Sequence, residues 1–133
     1  MSFDAATRLQ AWHELVQNKD SSRLGDFLAD DIEFYSPVFW KPKRGKMAAF
    51  IILSTVIQVF EGFTYERQWL NGHEWALEFR AQVRGLAVKG MDLMTFDDEG
   101  KIVRFEVLVR PQNGLQALGE EMGQRLAAMG ITN

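Results

Sequence analysis

Two periodicities divide the chain into helical and extended segments. Apolar residues recur every three or four positions in several early segments, which indicates amphipathic helices, whereas apolar and polar residues alternate in most of the second half, which indicates strands. Asn71-Gly72 marks a hairpin between two of the alternating segments. The pattern predicts helices over residues 4–18, 22–31, 46–60 and 113–129, a loop over 40–45, and strands over 32–39, 63–70, 73–84, 86–96 and 101–110.

The order of these elements predicts an α+β domain that spans residues 1–133. Helices segregated on one side of an antiparallel sheet are typical of that class. The strands at 73–84 and 101–110 each carry one apolar and one charged face, as expected when helices cover only one side of the sheet. A curved antiparallel sheet wrapped around helices forms a cone, and such a cone can leave an internal apolar pocket.

Composition and charge exclude several classes of partner. The net charge of −3 and the lack of a long basic run give nucleic acid little to bind. The chain has no Cys and only two His, and its carboxylates show no ligand spacing, so no metal or other cofactor is expected. The most apolar window, residues 47–60, is shorter than the ~20 residues that cross a bilayer. Without a signal-peptide pattern, we expect a cytoplasmic protein that does not bind membranes.

Asp92 is the main candidate for a catalytic residue. In the stretch GMDLMTFDDEGKIVRF it shares a strand face with Met94 and Phe96. An apolar site raises the pKa of a carboxyl group because it disfavours the charged form. A neutral Asp92 could donate a hydrogen bond to a ligand oxygen. Alternatively, Asp92 pairs with an inward Arg or His, or caps a backbone bend near Gly90.

Further residues are candidates for lining the pocket, each against a simpler interpretation. The simpler interpretation is core packing for the residues of helices and strands, a surface position for the histidine, and packing against the long helix for the tryptophan of the 40–45 loop. A serine in the first strand would face inward together with the phenylalanine two positions before it. The candidates are Trp12, His13, Phe34, Ser36, Trp40, Phe50, Ser54, Ile57, Trp75, Leu77, Phe79, Met94 and Val107.

Two stretches carry a resemblance to a known superfamily. FLADDIEFYSPV, followed by the helix after Gly45, resembles the entry strand of the nuclear-transport-factor-like, SnoaL-like superfamily, and GMDLMTFDDEGKIVRFEVLVRP resembles its hairpin. The superfamily has a cystatin-like α+β fold and includes ketosteroid isomerases, polyketide cyclases and limonene epoxide hydrolases. The resemblance covers essentially the whole chain. It implies a ketosteroid isomerase-like fold and a homodimer that forms through the charged face of the sheet.

The resemblance to the isomerases is incomplete at the catalytic positions. Their carboxylate base precedes the proline of the entry strand, where this chain has Ser36 before Pro37, and a hydroxyl is not basic near neutral pH. Their tyrosine donor on the first helix corresponds to Trp12, and their carboxylic acid donor corresponds to Asp92. The Arg-x-Asp pair of the epoxide hydrolases is absent, because Gly90 stands two positions before Asp92.

The sequence supports two main hypotheses about function. In the first, the protein is a cofactor-independent isomerase, cyclase or hydrolase of an apolar oxygen-bearing substrate, with Asp92 as acid and Ser36 or His13 assisting. In the second, the same pocket holds an apolar small molecule without catalysis, which needs no base. A third interpretation is a dimeric interaction module without a ligand. The fold hosts unrelated activities, so the sequence alone does not choose among them.

Overall fold

The computed structural model describes residues 3–131. It contains three α-helices, a 3-10 helix over Ser21–Phe27 and six strands within that range. The α-helices are α1 (Ala5–Gln17), α2 (Lys46–Val59) and α3 (Gln112–Ala128). The strands are β1 (Leu28–Tyr35), β2 (Lys43–Arg44), β3 (Glu61–Asn71), β4 (Glu74–Val83), β5 (Leu86–Phe96) and β6 (Ile102–Arg110).

The six strands form one sheet in the order β2-β1-β6-β5-β4-β3. Strands β3 to β6 form an antiparallel meander, and β2 pairs antiparallel with β1. The predicted α+β class and cystatin-like curved sheet are confirmed. The sheet is not wholly antiparallel as predicted, because β1 pairs in parallel with β6. The chain leaves β1 through α2 and the whole meander, so β6 returns beside β1 in the same direction.

Two predicted boundaries near the first strand are wrong. The helix expected over residues 22–31 ends at Phe27 as a 3-10 helix, and Leu28 begins β1 opposite Ile102 of β6. Long-range pairing of the strand therefore overrides the local helical pattern. The loop expected over residues 40–45 contains β2, because Lys43 and Arg44 pair with Phe34 and Glu33.

Strand β3 also departs from its predicted alternation. The sequence places Phe63, Tyr65, Arg67 and Trp69 on one face, but the pairing with β4 shifts register between Tyr65 and Gln68. An extra residue in a strand turns the following side chains to the opposite face. Phe63 and Tyr65 consequently face the helices, whereas Arg67 bonds to Glu78 on the other side of the sheet.

The helices pack against one side of the sheet, which we call the inner face; the opposite side is the outer face. The predicted alternation of β4 is confirmed, since its inner-face residues from Trp75 to Val83 are all buried. Outer-face residues include Trp69, which is 49% exposed, and Leu108, which is 47% exposed. Among residues 3–131, no helix is long and apolar enough to span a membrane.

Candidate functional site

A cavity of about 140 Å³ lies between the inner face of the sheet and the helices. Most of its wall is apolar, and its polar groups are few. Helices α2 and α3 contribute much of the apolar wall, and the segment after β1 covers one side. The lining residues include Trp12, Val16, Phe34, Ser36, Val38, Phe39, Leu53, Val56, Ile57, Phe60, Phe63, Tyr65, Asp92, Phe105, Val107, Leu118, Met122 and Leu126, together with Lys19, Lys41 and Lys43.

Asp92 reaches this cavity because it occupies an inner-face position of a central strand. On β5 it lies between Leu77 of β4 and Val107 of β6, and it is only 6% exposed. Its neighbours along the same face of β5 are Gly90 and Met94, which are both buried. The alternation of β5 therefore places a carboxyl group in apolar surroundings.

Asp92 belongs to a hydrogen-bonded chain of three side chains. The Tyr65 hydroxyl donates to Asp92 Oδ2 at 2.6 Å, and the indole Nε1 of Trp12 donates to Tyr65 Oη at 2.9 Å. No residue within 3–131 forms a hydrogen bond with the other carboxyl oxygen, Oδ1. The chain thus satisfies the buried polar groups of Trp12 and Tyr65, and it leaves one oxygen of Asp92 for a ligand.

Burial dominates the electrostatics of this chain. It raises the pKa of Asp92 to about 7, and the hydrogen bond from Tyr65 opposes that rise. The pKa of the Tyr65 hydroxyl is also raised well above its ordinary value, first by burial and then by the neighbouring Asp92. Near neutral pH, Asp92 is therefore present in both protonation states, and in the neutral state its carboxyl group can donate a hydrogen bond.

Tyr65 is a site residue that the sequence pattern did not predict. The sequence pattern places Tyr65 on one strand face with Phe63, Arg67 and Trp69, yet nothing local indicates that this hydroxyl meets Asp92 two strands away. The register of β3 against β4 decides that meeting. Lys19, Lys41 and Lys43 on the cavity wall were also not predicted, because contacts between segments distant in sequence bring them there.

Six of the predicted site residues lie on the cavity wall: Asp92, Trp12, Phe34, Ser36, Ile57 and Val107. Their contacts with a ligand stay predictions. Ser36 is held by a local turn, in which its Oγ accepts hydrogen bonds from the backbone N–H groups of Val38 and Phe39 at 3.2 and 3.0 Å.

Four predicted pocket residues of the sheet lie outside the wall of this cavity. Phe79 stacks on Phe63 at 4.8 Å, and Trp75 packs on Phe96 at 4.3 Å. They are inner-face residues, as predicted, but the cavity occupies only part of that face and the rest is filled core. The four are Trp75, Leu77, Phe79 and Met94.

Four other predicted pocket residues are also absent from the wall. The ring of His13 stacks on Tyr65 at 5.1 Å and lines a separate depression, and burial lowers the pKa of His13. Trp40 projects from its loop and is 94% exposed. Ser54 donates to the carbonyl of Ile51 in its own helix, and Phe50 packs at the margin of the core. The cavity-facing side of α2 carries Leu53 and Ile57 instead.

The arrangement suits binding of an oxygen-bearing apolar molecule. Among residues 3–131, no group of three His, Cys, Asp or Glu side chains could hold a metal ion. The polar groups available inside the cavity are the carboxyl of Asp92, the Tyr65 hydroxyl behind it, and the Ser36 hydroxyl. Hydrogen-bond donors in a low-dielectric site stabilise negative charge that develops on a substrate oxygen.

Comparisons with known proteins agree with this geometry. A family model described as a SnoaL-like domain matches residues 9–105. A solved structure of a steroid delta-isomerase from Pseudomonas aeruginosa is 47% identical, with coverage of 96% of each chain and a TM-score of 0.90.

A protein with a cystatin-like fold from Silicibacter pomeroyi is 34% identical, covering 92% of this chain and 87% of that one, with a TM-score of 0.88. A putative ketosteroid isomerase from Kribbella flavida is 14% identical, covering 79% of this chain and 76% of that one, with a TM-score of 0.65. At this identity, the similarity shows the fold alone. No curated protein matches. The superfamily that the sequence resemblance implied is confirmed, and the chain belongs to the family of SnoaL-like domain proteins.

Proposed function

We propose that this protein is a cofactor-independent isomerase of a small apolar carbonyl compound. The observation that carries the proposal is the hydrogen-bonded chain of Trp12, Tyr65 and Asp92, which ends at the wall of an apolar cavity. The similarity to a steroid delta-isomerase supports isomerisation over the other activities that this fold hosts.

In this proposal, protonated Asp92 donates a hydrogen bond to the substrate oxygen. When the carbon beside the carbonyl loses its proton, negative charge develops on that oxygen and the donor stabilises it. Tyr65 donates to the second oxygen of Asp92 and accepts from Trp12, so each bond of the chain polarises the next. Tyr65 and Trp12 are therefore positioning residues, and Asp92 is the catalytic residue.

This chain differs from the isomerases it resembles in the residue that would accept the substrate proton. Ser36 stands at the position of their base, and its hydroxyl is not basic near neutral pH. Among residues 3–131, Asp92 is the only carboxylate on the cavity wall. The proposal therefore favours substrates whose carbon acid is strong enough to lose its α proton to water once Asp92 polarises the carbonyl; a proton from water then adds at the γ carbon to give the isomer.

The first test is turnover of a panel of β,γ-unsaturated ketones, followed by the absorbance of the conjugated product. Asp92→Asn keeps the shape and an N–H donor but removes the acidic proton, so we expect a loss of turnover of at least about tenfold with ligand binding retained. Tyr65→Phe should give a smaller loss. Ser54→Ala, outside the cavity, should match the wild type. A wild-type protein without turnover of any ketone in the panel would contradict the proposal.

The pH profile of turnover identifies the role of Asp92. If protonated Asp92 is the donor, turnover falls as pH rises through about 7, the pKa to which burial raises this group. If ionised Asp92 were the base, turnover would rise over the same range. A rise would therefore overturn the donor role.

A non-catalytic protein that binds an apolar small molecule is the second candidate. Within residues 3–131, the cavity wall carries no carboxylate or imidazole besides Asp92 that could act as a base, and this favours the second candidate. For such a protein, binding of an apolar ketone should be insensitive to Asp92→Asn and should be lost when Val107→Phe fills the cavity. Ligand binding without turnover in the wild type would select this alternative.

We also propose that the protein is a homodimer formed through the outer face of the sheet. Supporting this, the face carries exposed Trp69 and Leu108 together with ion pairs such as Arg67 with Glu78. If the protein were instead an interaction module without a ligand, it would also form this dimer, but it would not bind ketones. Cytoplasmic location, favoured by the sequence, stays a prediction.

A further inference from the structure

The charged groups of the cavity wall differ in their exposure to solvent. Asp92, at 6% exposure, is the inner charged group, whereas Lys19 and Lys41 are exposed and Lys43 is half-buried. The lysines are thus the charged wall residues that contact solvent, whereas Asp92 is enclosed. A ligand in the cavity would contact the acid and apolar side chains with its enclosed part, and the ammonium groups would lie near the part closest to solvent.

The backbone fixes the direction of Lys43. In an antiparallel pair, directly opposite residues point to the same face of the sheet. Lys43 pairs with Phe34, whose side chain is buried on the inner face, so Lys43 also points inward. The next residue, Arg44, points outward, where its guanidinium contacts the Glu33 carboxylate at 2.9 Å.

Lys41 and Lys43 have no carboxylate partner within residues 3–131, in contrast to the sheet residues Arg44 and Lys89. Arg44 pairs with Glu33, and Lys89 lies 3.7 Å from Glu78. Lys19, on another part of the wall, donates to the carbonyl of Phe60 at 3.0 Å. Two ammonium groups two residues apart beside an apolar cavity repel one another, and a bound anion relieves that repulsion.

We propose that the ligand of this cavity is an amphipathic carboxylate, whose apolar body fills the cavity and whose carboxylate binds Lys41 and Lys43 at the opening. The inference rests on the proposed function for the inner end, where Asp92 takes the ligand's other oxygen. It adds the substrate class: an apolar carbonyl compound or enol with an anionic group at the far end. The competing explanation is that an inward lysine merely protects the edge strand β2 from pairing with other chains.

The test compares three matched ligands in the wild-type protein by calorimetric titration: naphthol, a hydroxynaphthoate with its hydroxyl and carboxylate at opposite ends of the rings, and the methyl ester of that hydroxynaphthoate. We expect the carboxylate to bind about tenfold more tightly than its ester, because charged groups form stronger hydrogen bonds. That preference should shrink as salt rises from about 0.01 M to about 1 M, since the Debye length falls from about 30 Å to about 3 Å.

The double variant Lys41→Gln/Lys43→Gln should lose the preference for the carboxylate and bind the ester as the wild type does. Retained ester binding also shows that the variant is folded. Lys46→Gln removes the same charge from the same segment but lies outside the wall, so it should keep the preference. Equal binding of carboxylate and ester by the wild type, or a preference that survives in the double variant, would overturn the inference.

Binding of naphthol, which has a hydroxyl but no carboxylate, distinguishes failure of this inference from failure of the proposed function. Asp92→Leu removes every hydrogen-bonding group from this side chain. Naphthol binding that Asp92→Leu weakens, without a carboxylate preference, supports the proposed inner site and overturns only the inference. A lysine-dependent preference with no effect of Asp92→Leu supports the carboxylate site and contradicts the role of Asp92. Failure of all three ligands to bind overturns both.

Discussion

A carboxyl group at 6% exposure is costly to ionise, and Asp92 has few compensating contacts. The Tyr65 hydroxyl is its one hydrogen-bond donor within residues 3–131. One neutral donor stabilises a buried carboxylate far less than water or a guanidinium would. The pKa of Asp92 accordingly rises to about 7, chiefly through burial. At the residue scale, the apolar strand face produces an acid that titrates near neutral pH.

This raised pKa predicts a pH-dependent difference in stability between the wild type and Asp92→Asn. The folded-state pKa of Asp92 lies above its unfolded value, so its contribution is fully present below about pH 4 and is lost as pH rises through about 7. Asn does not titrate. We therefore expect the variant to be more stable than the wild type at about pH 8, by an amount of the order of a few kcal/mol, and similar to it at about pH 4.

Urea unfolding of both proteins at a series of pH values measures this difference directly. Asn can still accept the hydrogen bond from Tyr65. The difference in the free energy of unfolding between the two proteins therefore reflects the charge of Asp92. A variant that is less stable than the wild type at about pH 8, by an amount that shrinks as pH falls, would instead indicate that the ionised carboxylate has a stabilising partner, the ion-pair interpretation of this residue.

At the scale of elements, the central strands depend on a close approach at Gly90. A Cβ atom at this position would lie 2.3 Å from the backbone oxygen of Leu108 and 2.3 Å from Cζ of Phe79. Gly90 pairs directly with Phe79 across β4 and β5, so the Phe79 ring occupies the space above it. The glycine that precedes Asp92 on the inner face is thus required by packing between strands.

Gly90→Ala should consequently destabilise the protein by about 1–3 kcal/mol, because a strand backbone cannot move away from the added methyl group. Gly123→Ala is the matched control: this exposed position in α3 has open space, and alanine favours helices over glycine by up to about 1 kcal/mol. Thermal unfolding of the two variants measures both effects. A neutral Gly90→Ala would contradict the close packing of β4 on β5.

At the scale of the whole molecule, the helices cover one face of the sheet and leave the other open. Exposed apolar residues on that outer face include Trp69 and Leu108, while Met91 pairs with Leu108 across β5 and β6. An apolar patch edged by charged side chains is the usual composition of a subunit interface. The proposed homodimer would bury this patch.

Leu108→Glu should therefore shift the protein from dimer to monomer in light scattering at a fixed concentration, because a carboxylate would be buried against the partner. Met129→Glu, a similarly exposed apolar position at the end of α3, should leave the mass unchanged. A monomeric wild type, or a Leu108→Glu protein that is still dimeric, would contradict an interface at the outer face.

The sequence by itself determined the class of the fold and the face on which Asp92 lies. Alternation along β4 and β5 is a local property, since residues two apart point to the same side of a strand. The helices α1, α2 and α3 follow equally from helical spacing. The motifs of the entry strand and of the hairpin were sufficient to indicate the superfamily.

Only the tertiary structure decided which side chains meet in the cavity. The bulge in β3 turns Arg67 outward while Tyr65 stays inward, the strand order brings Tyr65 to Asp92, and the pairing of β2 with β1 turns Lys43 toward the inner face. Each of these depends on register between distant segments, which local periodicity does not encode. The sequence could therefore indicate a buried acid, but not the hydroxyl that it binds or the cations at the opening of its cavity.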